Sequence, residues 1–372
     1  MIEQLSSLSI EQKVGQLFFI GILGPEIDGP TRELLADVSP GGICLFARNI
    51  KGTEQTRTLL DDVKATLPVL PFLSIDQEGG RVDRLRRILS PMPAASKIKT
   101  VDDAGHHARI IAESLKILGF NMDFAPVVDV IDEERGKHSN GLFSRTFGQS
   151  RESVVELAGE FLRGLRENGI VGCIKHFPGL GAASVDSHEE LPAVEIPESE
   201  LNSTDLFPYR EMLKTAEVQA VMVAHAAFPH HHLQETDQNG KLLPSSLSHN
   251  FITTLLRGEL GFDGLVITDD LEMGAIIKNY GMGQASKMAI RAGVDQLAIC
   301  ADPANVREGF NAVLSAVGNG EIGLDRVERS LERIALVKSR LSEPSEFDAE
   351  RLSQISVEIA AFANRINGME EI

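Results

Sequence analysis

The chain has 372 residues, a formal net charge of −18, 42% hydrophobic residues and three cysteines. Such an excess of acid disfavours binding to a phosphate backbone or an anionic membrane surface. Cys44, Cys173 and Cys300 lie in apolar segments without paired spacing, which argues against a disulfide framework or a zinc ribbon.

The length suits two ordinary domains or one large α/β barrel. The start, Met1-Ile2-Glu3-Gln4-Leu5, has no basic or apolar leader pattern, so no signal peptide is expected and the cytoplasm is the expected compartment. No apolar run approaches membrane-spanning length.

Eight short apolar runs follow one another: Gln16–Gly21, Gly41–Phe46, Pro71–Asp76, Asn121–Val130, Val171–His176, Ala220–His225, Gly264–Asp269 and Val294–Cys300. Most are rich in Val, Ile and Phe without strict alternation, as in strands buried on both faces. Helical stripes fall between them. Thr56, Leu59, Leu60, Val63 and Leu67 form one, and Val154, Leu157, Ala158, Phe161, Leu162 and Leu165 another. Gly119, Gly169 and Gly293 stand where helices should end. The pattern predicts an α/β fold, a single-domain (β/α)8 TIM barrel. A doubly wound sheet is the alternative, but no GxGxxG turn follows the first strand.

No composition break divides the chain. Residues 1–342 are read as the barrel and 343–372 as a C-terminal helical extension packing on it, with a helix over about Asp348–Ile366. His230-His231-His232 lies in a polar loop, Phe228–Pro244. Adjacent histidines cannot all face one ion on regular structure, so a solvated loop is expected there.

The most informative segment is Lys175-His176-Phe177-Pro178-Gly179 followed by Asp186-Ser187-His188. A carboxylate two positions from an imidazole can orient the ring and raise its proton affinity, which suits a general acid/base. In a barrel, catalytic groups come from the C-terminal ends of strands. Those ends carry Asp76 through Arg81, Asp129, Lys175-His176, His225 and Asp269-Asp270. Any one carboxylate is better explained as an ion pair or helix cap. Five of eight strand ends together are better explained as an active site.

There is no HExxH, CxxC or calcium-type loop, so neither a metal nor another cofactor is expected; GxSxG is also missing. Carboxylates with Arg, Lys and His fit a hydroxyl-rich substrate. Glycoside hydrolysis needs one carboxylate as nucleophile and a second group as proton donor. An imidazole of pKa ~6.5 held by an aspartate can be that donor. Asp269 and Asp270 should point to opposite faces of a strand, so only one is expected in the pocket.

A set of motifs in order along some 230 residues now becomes specific. It comprises Gly41–Asn49, Ile75–Val82, Phe124–Val130, Lys175–Gly179, Asp186–His188, Pro244–Ser248 and Ile267–Met273. In these the chain resembles glycoside hydrolase family 3, and within it the β-N-acetylglucosaminidases of peptidoglycan recycling. The resemblance implies a retaining, two-step exo-acting enzyme that removes terminal GlcNAc from muropeptides or related β-glycosides. Asp269 matches the nucleophile, His188 the general acid/base and Asp186 its supporting carboxylate. Asp76, Arg84, Arg145, Lys175 and His176 match positions that grip the terminal sugar. His225 is read either as pocket-lining or as a buried, hydrogen-bonded histidine.

One departure stands out. The family's Gly-His-Gly followed by Asp-Thr is here Gly179-Leu180-Gly181-Ala182-Ala183, so three polar side chains are missing beside the dyad. The chain also has no tryptophan, which favours short substrates held by polar contacts. The alternatives are a phosphorylase, because a neutral imidazole repels phosphate less than a carboxylate does, and a non-catalytic sugar-binding barrel. The expected partner is a small GlcNAc-terminated glycoside, with neither nucleic acid nor membrane; the oligomeric state is left open.

Overall fold

In the computed structural model, residues 2–138, 142–183, 191–214 and 218–368 are described. Eight parallel strands close into a barrel: β1 Phe18–Gly21, β2 Gly42–Leu45, β3 Phe72–Ile75, β4 Met122–Asp123, β5 Val171–Phe177, β6 Ala220–Val223, β7 Leu265–Asp270 and β8 Gln296–Ile299. Each strand pairs with its sequence neighbour, and β8 returns to β1 through Phe18↔Leu297 and Ile20↔Ile299. Six lie within the apolar runs, and β5 and β7 each run one residue past theirs, to Phe177 and Asp270. β4 is shorter than its run because Pro126 has no N–H to extend a ladder; an isolated bridge, Val127↔Lys175, continues the pairing.

The barrel interior is filled by side chains. Phe19 stacks on Phe72 at 5.7 Å and meets Phe124 edge-on at 5.3 Å. Below them Lys338 is 2% exposed, donates to the Gln16 side-chain oxygen at 2.9 Å and lies 5.3 Å over the Phe72 ring. Burial pushes its ammonium down to about 7.

The outer helices bury the expected stripes. Thr56, Leu59, Leu60 and Val63 face inward from Thr53–Thr66, and Val154, Leu157, Phe161 and Leu165 from Arg151–Glu167. Each fully buried Leu or Phe contributes about 1.5–3 kcal/mol. Thr100 caps the start of Val101–Leu118, and Gly119, at φ 100°, ends that helix in the left-handed conformation glycine favours.

The C-terminal helix Ala349–Gly368 buries Leu352, Ile355, Ile359, Phe362 and Ile366, a single stripe at steps of three and four. It lies against Val101–Leu118, where Arg351 grips both oxygens of Glu113 (2.6 and 2.9 Å) and Arg365 meets Asp103. Among the described residues no helix is long and apolar enough to cross a membrane.

Candidate active site

A cavity of about 410 Å³ opens at the C-terminal ends of the strands. Asp76, Arg84, Arg145, Lys175, His176 and Asp269 all line it. Asp186 and His188 lie outside the described residues.

A chain of charges runs along and beneath the cavity. Lys175, only 1% exposed, reaches Asp76 and Glu78 at 2.7 Å each. Glu78, 3% exposed, accepts two parallel hydrogen bonds of 2.8 Å from Arg145. Arg84 approaches Asp76 at 3.7 Å. Burial pushes the Glu78 carboxyl up, but the charges and hydrogen bonds of Arg145 and Lys175 outweigh it and hold it at about 2. Burial likewise opposes the charge on Lys175, and Asp76 and Glu78 reverse that effect, so the ammonium is held above its ordinary range. Both cations are therefore fixed in charge and position.

A hairpin after β3, Gln77–Gly79 paired with Val82–Asp83, sets the place of Arg84. The buried Gln77 side-chain oxygen accepts from the Arg84 and Leu85 N–H groups, while its amide donates to Asp83 at 2.8 Å. The tight turn needs Gly79: its φ is 90°, and a Cβ there would lie 2.2 Å from the Pro93 carbonyl oxygen.

At β5, the His176 Nδ1 is 2.8 Å from Asp129, whose other oxygen accepts from the Leu180 N–H at 2.7 Å. With Nδ1–H donating to a carboxylate, Nε2 is the nitrogen presented to a substrate. Leu180 is buried, and Ala182 and Ala183 pack on the core beside it. The base of the departing loop is thus apolar and fixed through Asp129.

At β7, the Asp270 N–H donates to Asp269 at 2.8 Å. Burial raises the Asp269 carboxyl, but His176, His225, this N–H and Lys175 outweigh it, so the group stays below its ordinary value. An ionised carboxylate is the form a nucleophile needs. Asp270 also lines the cavity, contrary to the expectation from strand alternation. The reason lies in the register: Ile267 pairs with Gln296 but Asp270 with Ala298, three residues on one strand against two on the other. That irregularity breaks alternation at the strand end. Burial and the charges of Glu272 and Asp269 push the Asp270 carboxyl up to about 7, against the Glu272 N–H that favours its ionised form.

His225 takes the buried, hydrogen-bonded role. Its Nδ1 is 2.7 Å from the Ser246 hydroxyl and its Nε2 3.0 Å from the Asp270 carbonyl oxygen. It supports the end of β7 from behind.

Sequence reasoning missed Glu78 and Gln77 as supports, and the bond from Asp129 to the loop base. The two-residue step from Asp76 to Glu78 was an available signal. Among the described residues no three metal-ligating side chains converge in this cavity.

Known proteins resemble this chain in sequence and in fold. The family model described as the glycosyl hydrolase family 3 N terminal domain matches residues 9–337. A beta-hexosaminidase of Tolumonas auensis is 32% identical over 305 residues, which are 81% of this chain and 86% of that protein. A beta-hexosaminidase of Pseudomonas aeruginosa strain LESB58 is 33% identical over 298 residues, 79% and 85% of the two chains. The structure of a glycoside hydrolase family 3 beta-N-acetylglucosaminidase from Paenibacillus sp. str. FPU-7 superposes with a TM-score of 0.84 at 34% identity, covering 96% of this chain and 69% of that one.

Proposed function

This chain belongs to the glycosyl hydrolase family 3 N-terminal domain family, and on that premise we propose that it is a retaining exo-β-N-acetylglucosaminidase. The observation that carries the proposal is Asp269, a carboxylate held ionised in a cavity lined by Asp76, Lys175 and Arg145, with Lys175 and Arg145 joined beneath it by Glu78.

Asp76 accepts hydrogen bonds from sugar hydroxyls, and Arg84, Arg145, Lys175 and His176 donate to others. They seat the terminal GlcNAc with its anomeric carbon before Asp269. Attack by Asp269 forms the glycosyl–carboxylate bond as the bond to the leaving oxygen breaks, and His188, supported by Asp186, gives that oxygen its proton. The neutral imidazole then takes a proton from water, whose oxygen displaces the carboxylate. The cavity volume supports an exo-acting enzyme on short glycosides, and muropeptide fragments in the cytoplasm are the proposed substrates. The net charge of −18 supports a small-molecule partner over nucleic acid. Residues 1–342 are taken as the catalytic unit and 343–372 as an extension held to it through Arg351 and Arg365.

The charge pattern favours water over phosphate as acceptor. Arg84, Arg145 and Lys175 each already face Asp76 or Glu78, and Asp269 and Asp270 add further acid. The test is the initial rate on p-nitrophenyl β-N-acetylglucosaminide with and without phosphate. Release that ignores phosphate is expected. Acceleration with GlcNAc 1-phosphate as product would replace hydrolysis by phosphorolysis, and no release in either buffer would leave a sugar-binding barrel.

A further inference from the structure

We propose that Glu198, His231 and His232 form a binding site for a divalent transition metal of the zinc class, on the barrel rim apart from the catalytic cavity. The three histidines of the β6–β7 connection do not behave alike. Two successive turns, closed by the His231 N–H to Phe228 and the Gln234 N–H to His231 (3.0 Å each), depart from regular structure. Adjacent side chains can then lie side by side: the His231 and His232 rings stack at 4.8 Å and 23°. His230 goes elsewhere, to Glu195 at 2.9 Å.

Glu198 comes to this pair from the other side. Its carboxylate accepts from the His232 N–H at 3.0 Å and lies 2.7 Å from that ring's Nδ1. One ligand atom from each of Glu198, His231 and His232 falls within 4.8 Å of the other two, and among the described residues no other three such groups come together.

His231 supplies the second observation. It is 5% exposed, yet its Nε2 is buried with no hydrogen-bond partner. An imidazole nitrogen buried without a partner is costly as a spectator and well suited as a ligand. When Nε2 binds the metal, the ring proton resides on Nδ1, and the long 3.2 Å contact from the Leu233 N–H to Nδ1 is given up.

Two imidazoles and a carboxylate suit zinc, with water completing a tetrahedron. Bonds of about 2.0–2.1 Å require ligand atoms roughly 3.3 Å apart. Glu198 and His232 are free to make that adjustment, because their side chains are 33% and 62% exposed, which also leaves an entry path.

The position gives the site a consequence. Pro192 and Val194 hydrogen-bond to Ala227 at 2.9 and 2.8 Å, directly after the segment that carries Asp186 and His188. A metal between Glu198 and His231–His232 fastens the same two chain segments again. It acts as a second clamp on these two segments and does not enter the chemistry.

The test uses the tag-free full chain, dialysed against Zn²⁺ with metal counted by mass spectrometry, and Co²⁺ absorption as a geometric probe. About one Zn²⁺ per chain is expected, with a tetrahedral Co²⁺ spectrum and a raised Tm. His232→Ala at an exposed position and Glu198→Gln at a half-buried one should each weaken binding about 10-fold or more, and His230→Ala should not. No saturable binding below ~100 μM would overturn the site, since zinc held by three such ligands binds far more tightly. Binding that survives both variants, or that falls equally with His230→Ala, would overturn it too. Because the readout is metal binding, it stands or falls separately from the glycosidase assignment.

Discussion

Glu78 holds Arg145 through both carboxylate oxygens at 2.8 Å, and the same carboxylate holds Lys175 at 2.7 Å. Two of the groups proposed to grip the sugar therefore share one buried anchor that does not itself line the cavity. Replacing it by glutamine keeps the shape but leaves a buried ammonium and a half-buried guanidinium facing an amide. Glu78→Gln should lower kcat/KM by about 10²-fold or more and cost roughly 3 kcal/mol of stability. Steady-state kinetics and urea unfolding check both, and unchanged kinetics would show that the cations are positioned without it.

Asp129 divides its two oxygens between His176 and Leu180. An asparagine can accept only one of those bonds and turns an N–H₂ toward the other donor. Asp129→Asn should cost about 1–3 kcal/mol of stability. It should also lower kcat together with kcat/KM, because it loosens both a proposed sugar contact, His176, and the Leu180 end of the following loop. A change in KM alone would confine its role to binding.

Asp270 offers a pH test. Its folded value of about 7 stands above the ordinary 3.8, so the folded chain holds this proton more tightly than the unfolded chain. The resulting stability is present below pH ~4 and is lost as pH rises through about 7. Asp270→Asn removes that dependence. Relative to the parent, the variant should gain on the order of a few kcal/mol between pH 4.5 and pH 8 in denaturant unfolding. Parallel stability curves would contradict the assignment.

Lys338 has the opposite sign. Its folded value of about 7 lies below the ordinary 10.5, so the unfolded chain binds the extra proton between those limits. Stability should rise with pH across that window. Lys338→Met should show its greatest advantage below pH 7 and lose it toward pH 10.5. The same pair of unfolding curves, measured at pH 6.5 and 10, checks this.

The barrel was legible because its strands are buried on both faces, which makes each a compact apolar run such as Val171–Ile174 or Leu265–Ile267. The cavity's polar groups were legible because strand ends are where that apolar character stops, as at Lys175 and Asp269. What stayed hidden depends on contacts between distant segments. Nothing local marks Glu78 as the partner of Arg145, 67 residues away. Period-two reasoning failed at Asp269–Asp270 because the pairing of β7 with β8 slips by a residue there. The approach of His231 to His232 was hidden for a different reason: turns replace regular geometry there and bring two neighbouring rings together.

The central claim is that Asp269 bonds to the sugar. The most direct measurement is peptide mapping by mass spectrometry after incubation with a fluorinated β-N-acetylglucosaminyl donor that slows the second step. One added glycosyl group on the peptide holding Asp269 is predicted, with fragmentation placing it on that residue and none in Asp269→Asn. An adduct on Asp270 or Glu272, or turnover with no covalent adduct in the parent chain, would contradict the account.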